Sequence, residues 1–426
     1  PPRSTLFPYT TLFRSVRVVA AAGGRIAAST GEAVVVVDPD GVEVAAFEPG
    51  PGGLPTGGVT SLALSPDGGM LAVGHGVGAT RIDLAAGRVD HFVSRRWLPD
   101  DAVAAVHEAS EGTLWVATAA GLSALRRAET TLEAKAMRMF DRLDDFWRLG
   151  GFVSPWSHLA DPWGDEPLPR WDDDNDGQWT QEAVGALCYA HATTGDEAFY
   201  EAARRAVTNM VMLVDIPSAD FEAAGLGRGF VTRSFVRDDE GAVFDDKATR
   251  SNWHLTTYRD GHDYYWKDDT SSDEVTGHLF GFSLYYDLCA KDDAERAWVG
   301  EALGALAGYI IDHDFTLPDL DGEPTTHGDW SPSRVPIAID GVEACIDAGH
   351  ELVTCLESYG GGGFLDALEV LALMLSAYHV TGDVRFWTAY DALVRVHGYD
   401  RAATFHDQVV TWAYPATANY CDHELA

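Results

Sequence analysis

The chain predicts a multidomain, β-then-α architecture in which about three blades of a partial β-propeller precede a long run of helical hairpins. Three observations carry that expectation. A glycine-anchored pattern of short strands recurs at Gly24, Gly69 and Gly112, spaced 45 and 43 residues apart, and a period of ~40–45 residues built of short strands marks propeller blades. From about Thr130 the apolar spacing becomes helical, beginning with Leu132, Ala136, Met139, Phe140, Leu143 and Phe146. At 426 residues the chain also exceeds the ~100–200 expected of one domain.

Taken in order, residues Pro1 to Ser15 (PPRSTLFPYTTLFRS) resemble translated sequencing-adapter sequence and are set aside from the fold. With a last helix that begins as the sequence ends, this leads us to expect further natural chain at both ends. The β region, 16–127, holds the three units GGRIAASTGEAVVVVD, GGMLAVGHGVGATRID and EGTLWVATAAGLSALR. A closed propeller needs roughly 4–8 blades, so three are expected to belong to a larger ring. The third unit, VAAVHEASEGTLWVATAAGLSAL, resembles the repeat of two-component-regulator sensor propellers. That resemblance covers the first quarter of the chain.

The region 128–426 predicts helices near Thr180 to Ala192, Glu197 to Val214, Ser272 to Ala290, Ala294 to His313, Phe364 to Val380 and Val384 to His397, with an eighth starting near Asp422. In CYAHATTGDEAFYEAARRAV and SAYHVTGDVRFWTAYDALV the order is helix, Thr-Gly-Asp, helix. Glycine ends the first helix and Asp caps the second. The segment 225–269 is too long for a plain loop and predicts a small β insertion. Hairpins of this size resemble the α/α toroids of many glycoside hydrolases and polysaccharide lyases. The resemblance implies a C-terminally truncated α/α toroid across the last two thirds of the chain.

Composition narrows the partners. Thirty Lys and Arg against 66 Asp and Glu leave a net charge of −36, which argues against nucleic acid and anionic membranes. A polyanionic substrate would need a locally basic cleft. No run of eighteen apolar residues is present to span a membrane. Of five cysteines, Cys188 and Cys289 read as core residues, while Cys345 and Cys355 bracket a loop and suit a disulfide in an exported protein.

Four polar loops precede every second helix: WDDDNDGQW (Trp171 to Trp179), KDDTSSDE (Lys267 to Glu274), SYGGGG (Ser358 to Gly363) and NYCDHE (Asn419 to Glu424). The connections leaving those helices are short and plain, so helices that alternate in direction place all four loops at one end. Asp172, Asp174 and Asp176 with Gly177 follow the start of a calcium loop, although Ala183 occupies the usual twelfth-position Glu. The alternative is a solvated acidic cap. Trp171 and Trp179 beside it suit a sugar platform. Asp273 opens its helix, and Glu274 with His278 at i+4 shares one face. Plain N-capping is the competing account. Arg233, His254, Tyr264 and Trp266 alternate as strand residues do, either lining a site or packing on helices. Gly360 to Gly363 suit a close backbone approach or an anion at a helix N-terminus. His327 and Trp330 add to the same rim, as do Asp422 and His423; Cys421-x-His423 is too tight for structural zinc.

These features together predict an exported, extracellular or periplasmic carbohydrate-active enzyme. The toroid resemblance implies an acid or base carboxylate at a helix N-terminus, and hydrolysis needs two of them. Asp176, Asp273 and Asp422 are the candidates. Trp179, Arg233, Trp266, His278, His327, Trp330, His254 and His423 would position the sugar. No organic cofactor is required; calcium is the candidate ion. A lyase using Tyr264, His254, Asn252 and Arg233 is the first alternative, and a non-catalytic glycan- or protein-binding scaffold the second. Oligomeric state is left open.

Overall fold

Alternating apolar and polar residues, broken by glycine turns, fold the first unit of the chain (Pro1–Ala136) into three consecutive antiparallel sheets. The computed structural model describes residues 16–50, 52–55, 58–109, 112–153, 171–172, 175–351, 354–355 and 362–404. Strands β1 (Val18–Ala22), β2 (Arg25–Ser29), β3 (Val34–Val37) and β4 (Glu43–Phe47) form the first sheet in sequential order. The second is β5 (Val59–Leu64), β6 (Met70–His75), β7 (Gly78–Asp83) and β8 (Arg88–Phe92), again sequential. The third is β9 (Val103–Glu108), β10 (Thr113–Thr118) and β11 (Gly121–Arg126). Gly24, Gly69 and Gly112 each stand immediately before the second strand of their sheet. Gly24 and Gly112 adopt positive φ of 71° and 76° there, a conformation that favours glycine. Ala27, Val34 and Val36 share a core with Leu62, Leu71, Val73 and Ile82 of the next sheet. Ala72 and Ala79 in turn pack with Val103, Val106, Leu114 and Val116.

The second unit, Met137–Ala426, is helical with small sheets. Helix α1 (Leu132–Asp141) spans the division and buries none of its residues, although Phe140 reaches the ring of Phe199 at 4.5 Å. Strands β12 (Trp147–Arg148) and β13 (Phe152–Val153) pair next. Three helical hairpins then dominate. The first is α2 (Asp176–Thr194) and α3 (Glu197–Asp215), followed by the short helices α4 (Ser218–Ala223) and α5 (Ala242–Lys247). The second is α6 (Ser272–Leu284), which widens into a π turn over Tyr285–Cys289, and α7 (Asp293–Asp312). After α8 (Val335–Asp347) come α9 (Gly362–Thr381) and α10 (Val384–His397). The caps follow the sequence: Gly195 is left-handed at the end of α2, and Asp196, Asp292 and Asp383 accept backbone N–H groups at the starts of α3, α7 and α10.

Helix α8 was not expected. Its Pro336, Gly341 and β-branched Val335, Ile337 and Ile339 weaken local helix preference, and a disulfide from Cys345 to Cys355 follows it. Cys188 and Cys289 also pair, joining α2 to the π turn. They are core residues as expected, but bonded ones. Within 225–269, β14 (Phe235–Arg237), β16 (Asp263–Lys267) and β15 (Trp253–Thr257) form an antiparallel sheet in that order. A last hairpin pairs β17 (Thr316–Pro318) with β18 (Pro324–Asp329).

The leading helices α2 and α6 run parallel, with Gly177 beside Glu274 and Gly185 beside Leu284. Their closest approach is at the N-terminal ends. A Cβ on Gly277 would lie 2.6 Å from Gln178 Cα, so only glycine permits this spacing.

Candidate active site at three helix N-termini

The first turns of α2 and α6 are tied together by polar side chains. Asn175 Nδ2 donates to Asp273 Oδ2 at 3.1 Å, and Ser271 Oγ donates to Asn175 Oδ1 at 3.1 Å. Glu274 accepts the N–H groups of Gly177 at 3.0 Å and Gln178 at 3.2 Å. These are donors that a helix N-terminus leaves without internal partners, so α6 caps α2. Burial pushes the Glu274 carboxyl well above its usual range, against the pull of those two N–H groups.

Helix α9 adds Asp366 and Glu369. Glu369 is 3% exposed, and its Oε2 accepts the Trp330 indole N–H at 2.8 Å. Burial raises this carboxyl to about 8; the Trp330 N–H and a hydrogen bond from the Ser272 hydroxyl oppose the rise, and the charges of Asp366 and Asp273 add to it. Glu369 is therefore mainly protonated at neutral pH. Asp366 accepts from Arg334 Nη1 at 2.5 Å. Asp273, by contrast, is only half-buried.

Buried polar atoms in folded proteins are nearly always hydrogen-bonded. Among the described residues, Gln178 Oε1, Trp179 Nε1, Thr276 Oγ1 and Glu369 Oε1 are among the buried side-chain atoms without a direct hydrogen-bond partner. All four lie within the first two or so turns of α2, α6 and α9, the same end that holds the carboxyl groups. Such a concentration fits a site that a polar ligand completes.

The residues expected from sequence are distributed unevenly around this centre. Asp273 belongs to it, and Trp179 stands in the first turn of α2, half-buried. Asp176 is fully buried, accepting from Arg148 Nη2 at 2.5 Å and Ser234 Oγ at 2.5 Å. Arg148 also reaches Glu240 at 3.0 Å. Asp176 thus anchors β12 and the insertion to α2 rather than facing a ligand. Asp172 pairs with Lys247, which sits over the rings of Trp253 at 4.6 Å and Trp171 at 5.6 Å. Asp172 and Asp176 are each matched to a different cation and do not converge. Asp174, Asp422 and His423 lie outside the described residues.

The strand residues divide. Tyr264 and Trp266 point into the core, where Trp266 Nε1 donates to Asp220 at 2.9 Å and the Tyr264 hydroxyl to Asp260 at 2.8 Å. Burial, reinforced by Asp260, raises the Tyr264 phenol and disfavours it as a base. His254 stacks on Trp266 at 4.4 Å and binds Asp268 at 2.8 Å, which raises its pKa against the effect of burial. Arg233 is half-buried, and its carbonyl accepts the Asp176 N–H at 2.9 Å. His278 is fully buried between the carbonyls of Glu274 at 2.8 Å and Met210 at 3.0 Å, so it packs the helix contact and reaches no rim. Trp330, 1% exposed, holds Glu369 instead of offering a platform. His327 is exposed on β18.

Sequence reading missed Glu369, Asp366 and Arg334. A signal was present: Asp366 and Glu369 are the only carboxylates in the twenty residues of α9, otherwise strongly apolar and preceded by glycines. Charges placed in a buried helix need partners or a task. A separate cleft of about 660 Å³ lies around Gly300, Gly304, Val380 and Arg385. Val380 is about 16 Å along α9 from Glu369, so this cleft is distinct from the carboxyl cluster.

No protein-family model matches the chain, and no curated protein matches it. Among solved structures, two of the extracellular domain of a B. thetaiotaomicron protein, described as a hybrid two-component system and as a one-component system, match at 18% identity with a TM-score of 0.22. The match covers 27% of this chain and spans 16% of that domain's length.

Proposed function

We propose that the protein is a carbohydrate-active enzyme that hydrolyses glycosidic bonds at the N-termini of α2, α6 and α9, with Glu369 as general acid and Asp273 as its partner carboxyl. The observation that carries this reading is Glu369, a carboxyl raised to about 8 by burial beside two further carboxylates. Trp330 donates to Oε2, so the proton is assigned to Oε1. Protonated in this way, Oε1 donates to the leaving glycosidic oxygen. Asp366 is held by Arg334, so Asp273 is the carboxylate left to act as base or nucleophile. Its single side-chain contact among the described hydrogen bonds is Asn175.

The elimination reading has less support. It needs a tyrosine or histidine base beside an arginine, yet the Tyr264 hydroxyl is bound to Asp260 and the His254 ring to Asp268. In this proposal the three sheets of the first unit are blades of a propeller, and the helical hairpins are part of an α/α toroid. The two disulfides favour an oxidising, extracellular or periplasmic location.

The test is release of new reducing ends from a glycan panel by the wild type, Glu369→Gln and Asp273→Asn, with absorbance of unsaturated uronates followed in parallel. Each variant is expected to lose about 10²–10⁴-fold in rate. Unsaturated products would replace hydrolysis by elimination. No product of either kind from the wild type would leave a glycan-binding protein.

A further inference from the structure

The three sheets of the first unit repeat one packing relation, which leaves a face open at each end of the stack. Aligned on Gly24, Gly69 and Gly112, their second strands read RIAAS, MLAVG and TLWVA. In the second sheet Leu71 and Val73 face back to the first sheet, while Ala72 faces on to the third. The equivalent Ala27 faces on to the second sheet, and the equivalent Leu114 and Val116 face back to it. Strand side chains alternate, so Ile26 and Ala28 face back and Trp115 and Ala117 face on, where no sheet among the described residues of this unit meets them.

Neither open face suits water. Cross-strand partners extend the backward face of the first sheet to Val19, Ala21, Val35 and Val37, so β1, β2 and β3 place no polar side chain on it. Val19 is 60% exposed there and Ile26 41%. The forward face of the third sheet adds Leu122, Ala124 and Ala105, with Thr113, His107 and Arg126 as its polar members. Leu122 is 62% exposed. An antiparallel sheet with one face in water alternates apolar and polar residues, whereas the first sheet is apolar on both faces. The open faces also complement each other in size. Trp115 stands where the other sheets have Ala27 and Ala72, while Ala21 and Ala28 stand where the second sheet has Leu64 and Val73. A bulky face against a shallow one keeps the volume that close packing requires.

From this continuity we propose that the forward face of the third sheet docks on the backward face of the first sheet in a second copy of the chain, and the reverse, so that two copies close a ring of six sheets. The contact repeats the one already made twice within each chain. Head-to-tail contacts form rings when their rotation closes, and six sheets fall within the roughly 4–8 of closed propellers. The proposal rests on reading the sheets as propeller blades, and it is independent of the chemistry at the helix N-termini.

Analytical ultracentrifugation of the full chain across the micromolar range should show a two-chain particle. Ile26→Asp and Leu122→Asp change side chains exposed in the single chain, so each should keep the wild-type circular dichroism spectrum. Each should weaken association about 100-fold or more, because its charge is buried without a partner. Mixed in equal amounts, the two variants should pair again, since the third sheet of the first and the first sheet of the second are unaltered. A wild type that stays monomeric at every concentration overturns the proposal. Association broken by Ile26→Asp but untouched by Leu122→Asp overturns it too, because two first sheets would then be pairing symmetrically. Particles that keep growing with concentration are open chains and overturn the ring. Val36→Asp, inside the contact of the first two sheets, tests the stacking itself. An unchanged melting temperature for that variant removes the blade reading, whereas a lowered one with a monomeric wild type removes only the second copy.

Discussion

Replacing Glu369 by Gln should abolish a pH dependence of stability that the wild type carries. The carboxyl releases its proton near 4.5 when unfolded and at about 8 in the fold. Folding therefore binds the proton more tightly. The contribution is complete below 4.5 and is lost as pH rises through 8, at about 1.4 kcal/mol per pH unit between those limits. Between pH 5 and 7 the wild type should lose roughly 2–3 kcal/mol that the glutamine variant keeps. Glutamine preserves the shape and the acceptor for the Trp330 N–H, so other titrating groups cancel in the comparison. Urea unfolding at pH 5, 6 and 7, followed by the helical circular dichroism signal, gives the difference in midpoints and slopes. Parallel stability profiles for the two proteins, within about 0.5 kcal/mol per pH unit, would refute a buried, protonated Glu369. The acid role would fall with it.

Other outcomes follow from the packing around the site. Gly277→Ala places a Cβ 2.6 Å from Gln178 Cα; it should destabilise the helical unit by ~1–3 kcal/mol, read as a lower melting temperature. Arg148→Met leaves Asp176 buried without its cation and should cost ~3–5 kcal/mol, with an added loss of stability on raising pH that the wild type lacks. Reduction of Cys188–Cys289, which closes a loop of 101 residues, should cost roughly 2–5 kcal/mol by urea unfolding with and without reductant. Because Asp172 and Asp176 are matched to Lys247 and Arg148, millimolar calcium should leave the melting temperature unchanged. A rise of several degrees abolished by Asp172→Asn would restore the calcium loop.

Much of the local order was legible in the sequence because it depends on neighbours along the chain. Glycines at 24, 69 and 112 mark the hairpins that start each second strand, and Thr-Gly-Asp turns end one helix and cap the next. Asp273 stands at the start of its helix as the sequence places it, because a helix start is a local property. Burial and partner choice are not local, and there the reading went astray. Nothing in the strand alternation of Tyr264 and Trp266 said that their face meets Phe221, Phe230 and Tyr309 in a core. The Asp-rich loop reads as a cation site until Arg148, 28 residues earlier, and Lys247 arrive to fill it. The most informative group of all, Glu369, is an ordinary glutamate until Trp330 and the helix packing remove its water. Sequence alone determined the β-then-α order and the helical hairpins. Tertiary structure decided which carboxyl keeps its proton, because that depends on desolvation and on charges brought together from distant parts of the chain.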